Sequence, residues 1–177
     1  AAVTPRTRVL VLNTPHNPTG RVLDADELAA VAEVAQRHDL LVVSDEVYEH
    51  LVFDGRTHIP VATLPGMAER TVTLSSLGKS WSLTGWKVGW VTGPAALVRG
   101  VLEAKQWLSY TSGTPFQHAA ALALDEAGDF PAGLAGELQR KRDRLVAGLG
   151  GVGLETATPQ GTYFAVSDVY GLGWADS

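Results

Sequence analysis

The stretch Val9–Glu46, VLVLNTPHNPTGRVLDADELAAVAEVAQRHDLLVVSDE, decides the fold. Val9-Leu10-Val11-Leu12 is an unbroken apolar run that stops at Asn13-Thr14-Pro15, the pattern of a strand buried on both faces in a parallel sheet. Asp24, with Glu27 three positions on, forms a capping box, and Leu28, Val31, Ala32 and Ala35 recur at helical spacing as far as His38-Asp39. Leu40-Leu41-Val42-Val43 follows at once and ends in Ser44-Asp45-Glu46. Strand, helix and strand with short joins make a βαβ unit whose crossover is right-handed.

Working outward, Thr71-Val72-Thr73-Leu74 and Val88–Thr92 read as two further strands. Pro94 opens a helix carrying Leu97, Val98, Val101, Leu102 and Lys105. Two more helices are predicted over roughly Phe116–Glu126 and Pro131–Leu149, the second with Lys141, Arg142, Asp143 and Arg144 on its exposed side. Glycines between Gly148 and Gly153 break the composition, and Tyr163–Val166 reads as a strand. The expected fold class is α/β, a mostly parallel central sheet with helices on both faces, and resemblance to a known family adds the start of a small α+β domain. The expected division is residues 1–129 in the first unit and 130–177 in the second.

Among 177 residues, 45% are hydrophobic and 19% charged, as in an ordinary globular chain. The net charge of −5 offers no basic field for nucleic acid or an acidic membrane. No cysteine is present, which excludes disulfides and thiolate chemistry and fits a cytoplasmic location. No apolar run approaches the ~20 residues of a membrane-spanning helix. The N-terminus lacks Met and runs straight into a strand, so it reads as a cut end.

The polar residues gather where strands end, which is where open α/β sheets bind ligands. Lys79 sits in Ser75-Ser76-Leu77-Gly78-Lys79-Ser80, read as a loop of small residues after a strand, with Lys87 further on. A solvated surface charge is one reading of Lys79, and a lysine beside a bound phosphate is the other. The Walker spacing is absent. Asp45 reads either as a helix N-cap or as a carboxylate facing a cationic ring nitrogen. Tyr48 either packs or faces the same site. Asn17-Pro18-Thr19-Gly20 would by itself be a turn. The five histidines show no metal-ligand spacing.

Asn17-Pro18-Thr19-Gly20, Ser44-Asp45-Glu46-Val47-Tyr48, Ser75-Ser76-Leu77-Gly78-Lys79 and Thr84-Gly85-Trp86-Lys87-Val88-Gly89-Trp90, in this order, resemble the class I aminotransferases of pyridoxal-phosphate fold type I. Within that family the chain is similar to the kynurenine, methionine and glutamine transaminase branch. Pro15–Gly20, Asp45–Phe53 and Ala104–Tyr110 further resemble actinobacterial N-succinyldiaminopimelate aminotransferases. The resemblance implies pyridoxal 5'-phosphate as cofactor, joined through its aldehyde to the Lys79 amine. It implies that Asp45 keeps the ring nitrogen protonated and that Asn17 and Tyr48 bond the ring 3-oxygen. Ser76 and Lys87 would bind the phosphate, and Tyr110 would line the substrate pocket of a neighbouring subunit. Amino-acid and 2-oxo-acid substrates, a homodimer and a place in lysine biosynthesis follow from the same likeness. So does the absence of the phosphate-capping loop and the carboxylate-binding arginine, which leaves these 177 residues by themselves an inactive piece with an incompletely covered core. Two alternatives share the resemblance: a β-lyase of the same fold, and a ligand-sensing domain of a transcription regulator.

Overall fold

A computed structural model describes residues 2–111, 113–126 and 128–173. Strand β1 (Val9–Asn13) leads through helix α1 (Ala25–Arg37) to β2 (Leu41–Asp45), and β3 is Thr71–Ser76. These three strands run parallel in the order β1-β2-β3. Strand β4 (Gly89–Thr92) returns antiparallel on the β3 edge, pairing Ser76 with Gly89. The sheet is therefore mostly parallel, as the apolar runs predict.

Helix α1 forms as its sequence dictates. Asp24 accepts from the Glu27 amide at 2.9 Å, and Glu27 reaches back to the Asp24 amide at 3.1 Å. Leu28, Ala32 and Ala35 lie buried on one stripe against Leu40, Val42, Val61 and Met67, with Leu10 and Leu12 of β1 at the margin. Burying Leu28 contributes about 1.5–3 kcal/mol. Strand alternation sends Val9, Val11 and Leu41 to the opposite face, where Val11 is 74% exposed.

Helices α3 (Ala95–Leu108), α4 (Thr114–Glu126) and α5 (Phe130–Gly151) follow. Ala120 of α4 joins Leu77, Trp81 and Val88 in a second buried cluster. No helix among the described residues is long and apolar enough to cross a membrane.

Two local expectations are corrected. The strand predicted over Tyr163–Val166 lies later: β5 (Glu155–Ala157) pairs antiparallel with β6 (Val166–Asp168). Tyr163 and Phe164 precede it in an irregular stretch, because residues 160–162 already bond the 51–53 segment through Phe53 N to Gln160 O (2.9 Å) and Thr162 N to Leu51 O (2.8 Å). Arg142 is not on the exposed side of α5. It is 8% exposed, because Asp54 supplies a carboxylate matched to both guanidinium nitrogens.

Candidate active site

Strand register brings the end of β1 beside the end of β2, with Asn13 opposite Asp45. The Asn13 side chain donates to the Asp45 carbonyl at 3.0 Å and accepts from the Asn17 amide at 2.8 Å. One carboxamide thus fastens the Asn17-Pro18-Thr19-Gly20 turn to the tip of β2. Nothing in the motif pattern marks Asn13, whose role appears only when register sets it opposite Asp45.

Gly20 makes the turn possible. Its φ is +68°, and a Cβ there would stand 2.5 Å from the Pro159 side chain and 2.9 Å from the Gly161 carbonyl. Gly20→Ala combines backbone strain with overpacking, so we expect a loss of about 2–4 kcal/mol in unfolding free energy. Urea denaturation of the full-length protein measures it, and a change within experimental error would contradict the close approach.

After Asp45 the chain enters successive turns, with the Glu49 amide donating to the Glu46 carbonyl at 2.8 Å. Glu46 is fully buried, and it accepts from Ser44 Oγ (2.7 Å) and Val61 N (3.0 Å) while His58 Nε2 lies 2.7 Å from its other oxygen. This network anchors the turn that presents Tyr48. Among the described residues the Asp45 carboxylate accepts only a long 3.3 Å bond, from the Val47 amide, and the residue is half-buried.

Lys79 lies not in a loop but on the four-residue helix α2 (Leu77–Ser80). Ser76 is its N-cap in extended backbone, and Leu77 and Ser80 are buried on its inner side. The Leu77 amide donates to Val88 O at 3.1 Å and Thr84 Oγ1 to Gly78 O at 2.7 Å, folding residues 77–88 tightly under the helix. This directs the Lys79 amine onto Tyr48: Nζ is 5.8 Å from that ring and 5.9 Å from the ring of Tyr163.

Tyr48 is the centre of the cluster. It is 2% exposed, with Tyr163 edge-on at 5.3 Å and Phe164 at 6.2 Å. Its hydroxyl donates to the Tyr163 hydroxyl at 3.4 Å. Burial, then the Tyr163 hydroxyl, then the Asp45 charge push its proton affinity above the ordinary phenol range, so Tyr48 remains a proton donor across neutral pH. Sequence reasoning missed Tyr163, which it assigned only to a strand.

The structure thus brings Lys79 to Tyr48, sets Asp45 close enough to act on Tyr48 electrostatically, and ties Asn17 to Asp45 through Asn13. Ser76 adjoins α2, whereas Lys87 is exposed in left-handed backbone at φ 56°, two residues before the Gly89 partner of Ser76. Tyr110 is 75% exposed beyond α3, its backbone bonded to Lys105. It does not join the cluster.

Among the described residues, no ion pair includes Lys79, Asp45 or Lys87. An unpaired amine for an aldehyde, an uncommitted carboxylate for a cationic ring, and a hydroxyl with a lysine for a phosphate suit pyridoxal phosphate. No group of side chains among the described residues could hold a metal.

The comparisons agree with this chemistry. A family model described as aminotransferase class I and II, whose members depend on pyridoxal phosphate, matches residues 1–172. The chain is 56% identical over 176 residues to a probable N-succinyldiaminopimelate aminotransferase of Mycobacterium tuberculosis, covering 99% of this chain and 44% of that protein. It is 46% identical over 175 residues to kynurenine–oxoglutarate transaminase 3 of Mus musculus, covering 95% of this chain and 38% of that one. The solved structure of N-succinyldiaminopimelate aminotransferase from Mycobacterium tuberculosis superposes with a TM-score of 0.96 at 55% identity, over 99% of this chain and 46% of that one. The chain spans less than half the length of the curated relatives it matches. Matched by the family model over residues 1–172 and superposing closely on a solved aminotransferase, the chain belongs to the class I and II aminotransferases.

Proposed function

We propose that the full-length protein is a pyridoxal-phosphate-dependent aminotransferase, transferring an amino group between an amino acid and a 2-oxo acid such as 2-oxoglutarate. The observation that carries this is the Lys79 amine, free of any ion pair among the described residues and packed on Tyr48 beside the uncommitted Asp45 carboxylate. Bound pyridoxal phosphate supplies an electron sink for the charge left when a substrate loses its α-proton. Lys79 holds the cofactor and afterwards accepts and returns that proton at Nζ. Asp45 favours the protonated ring nitrogen by charge. Tyr48 and Asn17 offer donors to the ring oxygen, and Ser76 and Lys87 hold the phosphate. The half-exposed rings of Tyr163 and Phe164 limit water around the amine.

The 56% identity to a protein named for N-succinyldiaminopimelate supports that substrate and a role in lysine biosynthesis. The likeness also supports a cytoplasmic homodimer in which Tyr110 reaches the neighbouring pocket. The test offers full-length protein N-succinyldiaminopimelate, free diaminopimelate, methionine, glutamine and kynurenine with 2-oxoglutarate. Glutamate formation is expected, fastest with the succinylated substrate. Ammonia and pyruvate released from an added amino acid that carries a thiol leaving group on its β-carbon, with no amino transfer from any of the substrates, would instead establish a β-lyase.

A further inference from the structure

We propose that Arg142, paired with Asp54, is a positioning residue for the Lys79 site and acts through Tyr163; this rests on the aminotransferase reading. The pair joins three segments. Arg142 Nη1 and Nη2 donate to the two Asp54 oxygens at 2.6 and 2.7 Å, a bidentate fork. Nη1 also donates to the Pro159 carbonyl at 2.7 Å, Nε donates to Asp143 at 2.8 Å, and the guanidinium lies 5.1 Å above the Phe53 ring. The Asp54 amide donates back to Gln139 of α5 at 3.0 Å.

A buried guanidinium is costly unless its donors are matched, and these are matched in a way that fixes one backbone segment. From Pro159 the chain bonds at each step: Gln160 N donates to Gly20 O (2.8 Å), Gln160 Oε1 accepts from Val22 N (2.9 Å), and Thr162 N donates to Leu51 O (2.8 Å). Gly161 is crowded there, since a Cβ would meet Leu51 O at 2.6 Å. The next residue is Tyr163, against Tyr48 and 5.9 Å from the Lys79 amine. Gln160, Gly161 and Thr162 therefore connect the clamp to the cluster with almost no slack.

The Arg142 hydrogen bond holds the Asp54 carboxyl below the usual carboxylate range, against a smaller opposing effect of burial. A lowered folded value contributes stability above the unfolded one and loses it only as pH falls through the folded one. The clamp is closed at neutral pH.

The experiment uses the full-length protein loaded with pyridoxal phosphate and follows the pH midpoint of the cofactor's visible band. Without the edge-on rings of Tyr163 and Phe164 to fix it, the Tyr48 ring aims its hydroxyl less squarely at the cofactor's ring oxygen, so the proton affinity at the Lys79 linkage rises. Arg142→Met is expected to move the midpoint up by about half a pH unit or more. The same change in a Tyr163→Ala background is expected to move it no further, since the effect passes through that ring. Arg142→Lys, which keeps the charge but not the fork, is expected to show only part of that shift. A lower melting temperature with an unmoved midpoint, or a full additional shift on top of Tyr163→Ala, would overturn the proposal. If Arg142→Met does not fold, Asp54→Asn on its half-exposed side chain carries the same expectation. Wild-type protein that takes up no cofactor would sink the aminotransferase reading and the clamp together, whereas an unmoved midpoint in loaded protein sinks only the clamp.

Discussion

Lys79→Ala in the full-length protein is expected to remove the cofactor's visible band and to lower amino-group transfer by roughly a thousandfold or more, the scale of losing a positioned base that is also the covalent anchor. The amine is the group that α2 delivers onto Tyr48, at 5.8 Å, and no described ion pair holds it elsewhere. Lys79→Arg separates charge from chemistry. A guanidinium keeps the cation beside the Tyr48 and Tyr163 rings but neither joins an aldehyde nor gives up its proton at working pH. It should be as inactive as the alanine variant. Normal turnover in either would refute the assignment. Borohydride reduction of loaded wild-type protein, followed by peptide mass analysis, should place the cofactor mass on Lys79.

Asp45→Asn should lower turnover by about two to four orders of magnitude while changing fold stability by less than about 1 kcal/mol. The substitution keeps size and hydrogen-bonding capacity but removes the charge that favours a protonated ring nitrogen. Its fold contribution is small because, among the described residues, the carboxylate accepts only the 3.3 Å bond from Val47 N, whereas Asn13 and the Thr14 amide bond the Asp45 carbonyl. Asp45→Glu, which keeps the charge one methylene further out, should recover part of the activity. A drop in melting temperature matching the loss of turnover would make Asp45 a structural cap instead.

The sheet was legible because its signals are local. The apolar runs at Val9 and Leu41, with a capped amphipathic helix between them, leave little choice of topology. Asn17, Asp45, Tyr48 and Lys79 stood out in the sequence for a different reason: the motifs that hold them, in this order, resemble those of a known family. Three things were not legible. Asn13 looked like the end of a strand, and its role depends on the pairing register with β2. Tyr163 looked like a strand residue, because the backbone bonds of Gln160 and Thr162 to the 51–53 segment leave no mark in its own neighbourhood. Arg142 sits in a run of charges that periodicity assigns to solvent, and only Asp54, 88 positions earlier, explains its burial. Long-range polar contacts carry no periodic signature.

The return of Gln160 to Gly20 and Val22 bears on synthesis as well as on the finished molecule. A ribosome emits the βαβ unit early, and that unit has its own buried stripe, so it can begin to fold as it emerges. The wall over Tyr48 comes from Tyr163, 115 positions later, and closing so long a loop is slow. The Lys79 amine therefore gains its Tyr163 neighbour late in synthesis, after the βαβ unit has emerged.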